Sequence, residues 1–259
     1  MLCEPPIEDF LAGGYLLARP YAPPDDRHAG FFPPDLVTPP VITASPCIAT
    51  LMPDGLLFGW PSPRPEREDL HEAAADWGTE PARRDALLAW ADAAVRDERV
   101  RAGDAFADLE SARECLRLFG PADQGVRVLG LGLRRADRAD FFAALERESA
   151  ELSARLGTTV NGDNGLVEGL KLDLPLAGGG RVLGYEVLDV ALCESRHSWL
   201  CHGLEREMHR RFDLHLLPGG LIPAFAKAQQ VAACCDDATV GCEPGVWRAW
   251  VVVEYDALG

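Results

Sequence analysis

Three of the six histidines and two of the eight cysteines fall in one run, Arg181 to Phe212 (RVLGYEVLDVALCESRHSWLCHGLEREMHRRF). Thiol, imidazole and carboxylate at short spacing can do two kinds of chemistry. The first is nucleophilic. A thiol attacks as its thiolate, and a nearby base or a helix N-terminus favours that form. Cys201 lies four residues after His197 and beside His202, in what reads as the first turn of a helix. A Cys201 nucleophile with His197 or His202 as base, and Glu194 or Glu205 as orienter, is one arrangement. The second is metal binding. On a continuous helix His202, Glu205 and His209 stand at i, i+3 and i+7 and share a face that suits zinc. A closed site would need a further ligand, such as Cys193 or His215. The spacing is not that of a His-Glu-x-x-His metalloprotease motif. A bland reading competes with both. Cys201 sits between Leu200 and Leu204, after Trp199, as a core residue would. Glu207 and Arg211 form an ordinary i,i+4 surface pair.

Periodicity and turn signals give the elements around these residues. Residues 1–46 hold ten of the twenty prolines and read as an extended arm, with at most a short helix over Ile7–Ala18. Its aromatics, Phe10, Tyr15, Tyr21, Phe31 and Phe32, suggest that it packs along the body. Two apolar runs around Pro53-Asp54-Gly55 predict a hairpin, Cys47–Met52 with Leu56–Trp60. Three helices follow, over Asp69–Trp77, Ala82–Val100 and Asp108–Phe119, the last stopped by Gly120-Pro121. Beyond them GVRVLGLGL is a strand and Phe141–Leu156 a helix ended by Gly157. Leu166–Leu176 and Arg181–Val190 alternate around Ala177–Gly180 and predict a second hairpin. Ser198–Phe212 reads as a helix with Ser198 as N-cap. Leu221–Cys235 is another helix, with Pro223 in its first turn. The valine-rich Val246–Tyr255 is a buried, central strand.

The resulting fold class is α+β: an antiparallel or mixed sheet with helices packed on a face, an N-terminal hairpin and a helical segment. Three regions are expected: the arm 1–46, the hairpin and acidic helices 47–124, and the α+β region 125–259, the last two able to form one continuous domain.

Other motifs carry little chemistry. Gly130-x-Gly132 is half of a dinucleotide fingerprint, followed by Arg134-Arg135 and no acidic strand end. Asn161–Gly165 lacks the calcium-loop pattern and reads as a turn. Cys234, Cys235 and Cys242 lack zinc-site spacing. No cofactor is expected. Trp247 and Trp250 are an odd number of residues apart, so on a strand they face opposite sides. One of them, Trp250, is a candidate exposed anchor for a partner.

The net charge is −16, with 41 acids against 25 bases. Residues 1–125 hold 22 acids and 11 bases, which leaves −11, and residues 126–259 hold 19 and 14, which leaves −5. Such a field repels phosphate backbones and argues against nucleic acid as a partner. It favours a basic protein surface. Glu66, Glu68, Asp69, Glu72 and Asp76 are the acidic candidates to meet it. No run approaches the ~18 apolar residues that a membrane span needs. The N-terminus, with Glu4, Glu8 and Asp9, does not read as a secretory signal. A cytoplasmic protein with reduced cysteines is therefore expected.

The words GYEVLDV, HSWLC, LEREM, GLIPA and EPGVWRAWVVVEY, across residues 184–255, resemble uncharacterised bacterial proteins of immunity and interbacterial-conflict type. Those words are apolar and structural, and no functional residue carries over with them. The resemblance implies a non-enzymatic protein that binds and blocks a partner, a basic toxin for example. A Cys/His/Glu enzyme at residues 193–209, a hydrolase or a metal-assisted one, is the alternative.

Overall fold

The computed structural model describes residues 4–21, 32–52, 67–101, 105–121, 125–159, 164–190, 196–237, 239–240, 242 and 245–257. In chain order the strands are β1 (Phe10–Arg19), β2 (Thr50–Leu51), β3 (Val100–Arg101), β4 (Ala105–Phe106), β5 (Arg127–Arg134), β6 (Arg181–Val190), β7 (Arg196–Ser198) and β8 (Trp247–Tyr255). The helices are α1 (Arg67–Trp77), α2 (Arg84–Arg96), α3 (Leu109–Phe119), α4 (Arg138–Leu156), α5 (Gly165–Lys171), α6 (Glu205–Phe212) and α7 (Phe225–Cys235).

All eight strands join one sheet in the order β3-β4-β1-β5-β8-β6-β7, with β2 also paired to β1. The described pairings are antiparallel. The α+β class therefore holds, with strands from all three expected regions in the same sheet. Strand alternation sends successive side chains to opposite faces. On β8, Trp247, Ala249, Val251 and Val253 join one apolar cluster with α2, α3 and α7. Trp250 and Val252 join the other, with α4 and α5. Helices thus cover both faces rather than one. This double cover corrects the reading of Trp250: it is fully buried at 0% exposure, edge-on to Phe141 with centroids 6.0 Å apart. No exposed anchor remains on β8, because Trp247 is also at 0%.

Three local expectations change. Ile7–Ala18 is not helical: a short 3-10 turn, Ile7–Asp9, leads into β1. All but Arg19 of that strand is buried, with tertiary pairing to β5 along its length overriding local preference. Leu166–Leu176 is not a strand. Asn164 caps a helix there by accepting from Leu166 N, and Leu166, Val167 and Leu170 point inward at helical spacing. The partner of β6 is consequently β8, not that segment. The predicted Cys47–Met52 strand shrinks to β2, and Leu56–Trp60 lies outside the described residues.

Gly130 and Gly132 find a packing role in β5. A Cβ at Gly132 would meet Leu176 Cδ1 at 2.5 Å, and one at Gly130 would meet Tyr255 Cε2 at 2.8 Å. Close strand packing, not a phosphate, explains these glycines.

Candidate functional site

The predicted Ser198–Phe212 helix is broken. β7 ends at Ser198, whose hydroxyl accepts from Leu200 N at 3.3 Å and starts a 3-10 turn, Trp199–His202. Gly203, at φ 65°, closes that turn with a left-handed backbone, and α6 begins only at Glu205. Left-handed φ is the conformation glycine adopts without strain. The break rotates the expected face apart. His202 lies on Trp247, rings 5.3 Å apart and near-perpendicular. Glu205 is buried at the start of α6, and burial raises its pKa. His209 Nδ1 donates to Leu214 O at 2.7 Å, and its ring meets exposed His215, 5.0 Å away. His202, Glu205 and His209 therefore do not share a helical face. Cys193 and Glu194 lie outside the described residues.

What the fold does bring together is Cys47, His197 and Cys201. Their ligand atoms lie within 4.8 Å of one another, the one such set of three among the described residues. The positioning starts in β6 and β7, which pair in register, Asp189 opposite His197. Alternation along β7 buries Arg196 and Ser198 and leaves His197 half-exposed on the other side. Cys201 follows one 3-10 turn later. Cys47 comes from a remote segment. Arg196 Nε donates to Ala44 O at 2.9 Å, and Ala44 N donates to Glu186 Oε2 at 2.9 Å. The Thr43 hydroxyl donates to the other oxygen of Glu186, and Ser45 N donates to Thr43 Oγ1 at 3.0 Å. Residues 43–45 are thereby clamped between the two strands.

Ser45 then builds the turn that carries Cys47. Its hydroxyl accepts from Cys47 N at 3.3 Å, and its carbonyl accepts from Ile48 N at 3.2 Å and Ala49 N at 3.1 Å. The same hydroxyl lies 3.3 Å from Cys201 Sγ. Cys47 is exposed, and its Sγ is 3.4 Å from His197 Nδ1. Hydrogen bonds from Cys201 and from His197 hold the Cys47 thiol well below the ordinary thiol range. The same contact with Cys47, together with burial, pushes Cys201 up. The pair is thus asymmetric: one exposed sulfur that favours the thiolate beside one half-buried sulfur that keeps its proton.

Of the sequence candidates, His197 and Cys201 meet at the site, while His202 and Glu205 do not. Cys47 was missed. It is 150 residues from His197, and nothing in its local spacing points to chemistry. The other described cysteines are not part of this set. Cys115 is buried, Cys234 receives Arg211 Nη1 at 3.1 Å, and Cys235 and Cys242 hydrogen-bond each other.

Among the acidic candidates Glu72 and Asp76 are exposed on α1. Glu66 lies outside the described residues, as do the side chains of Glu68 and Asp69. A separate concavity of about 330 Å³ is lined by Ile7, Phe10, Val182, Tyr185 and Leu217. Glu4 lies at its edge, caps α7 by accepting from Phe225 N at 3.1 Å, and hydrogen-bonds Tyr185. Among the described residues no helix is long and apolar enough to cross a membrane.

Comparison of the chain with family models, curated proteins and solved structures gives no match.

Proposed function

We propose that this chain is a thiol-dependent protein whose Cys47 and Cys201 carry out thiol–disulfide exchange with His197 beside them. The carrying observation is the convergence of two sulfurs and one imidazole within 4.8 Å, with one sulfur open to solvent. Exchange proceeds by attack of a thiolate on a disulfide sulfur. Here Cys47 attacks a disulfide substrate and one thiol leaves. Cys201 then attacks the Cys47 sulfur of the mixed disulfide and the second thiol leaves. The protein dithiol loses two electrons and two protons, and the substrate disulfide takes up both as two thiols. Acyl hydrolysis has less support. The amides of Cys47, Ile48 and Ala49 already donate to Ser45, so these three do not serve as oxyanion donors.

The test uses glutathione disulfide as probe, with peptide mapping by mass spectrometry. The wild-type chain is expected to give a Cys47–Cys201 disulfide. Cys201→Ser should stop at a glutathione adduct on Cys47, and Cys47→Ser should give neither product. Equal adduct formation in Cys47→Ser would overturn the reading.

A second reading is favoured by the charge of −16 and by exposed Glu72 and Asp76 on α1. It is a cytoplasmic, acidic binding module of immunity type that occludes a basic protein partner such as a toxin. The resemblance across residues 184–255 supports it. Co-expression with the neighbouring gene product should then give a complex and protection, and the complex should weaken as salt rises. Neither complex nor protection would sink this reading.

A further inference from the structure

We propose that Cys47, His197 and Cys201 form a zinc site with three protein ligands and an open fourth position. It shares its atoms with the exchange reading, but binding needs only their spacing and donor type, not redox activity. Two thiol sulfurs and one imidazole nitrogen are the donor set zinc prefers, whereas calcium and magnesium take oxygen. Zinc holds thiolate sulfur at about 2.3 Å and imidazole nitrogen at about 2.0–2.1 Å, so tetrahedral ligands lie roughly 3.5–3.8 Å apart. Cys47 Sγ and His197 Nδ1 already stand 3.4 Å apart, and the third donor lies within 4.8 Å of both. Small side-chain rotations close the remainder.

The frame around the ligands is fixed before any ion arrives. His197 and Cys201 come from one strand end and the turn that follows it, three residues between them. Cys47 comes from the segment that Glu186 and Arg196 clamp. Ser45 Oγ, 3.3 Å from Cys201 Sγ, and the Ser198 main chain both address the second sulfur. Such outer contacts orient metal ligands and tune their basicity. With three protein donors and Cys47 exposed, the site leaves a fourth position for a water or a substrate, as sites that exchange a ligand do and closed structural sites do not.

The full-length, reduced and metal-stripped chain is titrated with Co²⁺ and then Zn²⁺, reading thiolate-to-cobalt charge-transfer absorption. One Co²⁺ per chain is expected, displaced by Zn²⁺. Cys47→Ser, Cys201→Ser and His197→Ala should each weaken binding at least about tenfold, the lower end of the loss that even outer partners of metal ligands produce. Cys242→Ser should not. Circular dichroism checks that each variant folds, and Cys47→Ser decides, since an exposed side chain is least able to disturb the core. Absence of the absorption, or its persistence in Cys47→Ser, overturns the proposal. Zinc binding without exchange activity overturns the exchange reading alone; exchange without zinc binding overturns this one alone.

Discussion

Glu186 lies on β6 with 2% exposure, one oxygen accepting from Thr43 and the other from Ala44 N. Burial pushes its pKa to about 7, against hydrogen bonds from Thr43, Ala44 and Ser198 and the charge of Arg196. A carboxyl whose folded pKa is raised binds its proton more tightly folded than unfolded. Its contribution is therefore complete below the unfolded value, near 4.5, and is lost as pH rises through about 7. The shift corresponds to on the order of 3 kcal/mol. Urea midpoints at pH 5 and pH 8 should show the wild-type chain less stable at the higher pH. Glu186→Gln, which mimics the neutral carboxyl and can still donate to Thr43 and accept from Ala44, should lose most of that difference. An unchanged difference would exclude Glu186 as its source. Local spacing marks site residues least well at this scale. His197 and Cys201 are legible as a reactive pair because they are four residues apart. Cys47, Ser45 and Glu186 are not, because each reaches the site through a contact with residues far along the chain.

Elements were more legible where a period and a cap agree. α3 begins after Asp108, whose side chain accepts from Ser111 N at 2.7 Å, and α4 ends at left-handed Gly157, both as the residue types predict. A short segment that carries two periods is ambiguous. Leu166–Leu176 alternates like a strand, but Asn164 starts a helix and Gly169 lets it sit on β1. A Cβ at Gly169 would lie 1.7 Å from the carbonyl oxygen of Gly13. Gly169→Ala is therefore expected to lower stability. Overpacking costs roughly 1–3 kcal/mol, which outweighs a helix-propensity gain of about 1 kcal/mol. The obstacle is backbone, so rotamer change does not relieve it. Gly178→Ala, with nothing within 4 Å of the new carbon, should leave the thermal midpoint nearly unchanged. Equal midpoints for both variants would refute close α5–β1 contact. Gly203 is the corresponding lesson at the site: one left-handed residue divided a predicted helix and separated His202 from His209.

At the scale of the whole molecule, β1 pairs with β5 along most of its length, and β8 lies between β5 and β6. The first long strand is thus locked to one that begins more than 100 residues later. Hydrogen bonds of Glu186 on β6 and Arg196 on β7 with Thr43 and Ala44 hold the Thr43–Cys47 segment beside β7 and so create the thiol site. The acidic balance acts at this scale too, as a field that salt screens and not as a contact. The α+β class, the charge, the positions of most helices and the central burial of β8 follow from composition, caps and periodicity over a few turns. That Arg181–Phe212 supplies two site residues and not a complete site, and that the third is Cys47, emerges only in the folded chain. The reason is physical: a thiol beside an imidazole depends on distances across strand pairs and buried hydrogen bonds, and neither is encoded in spacing along the chain.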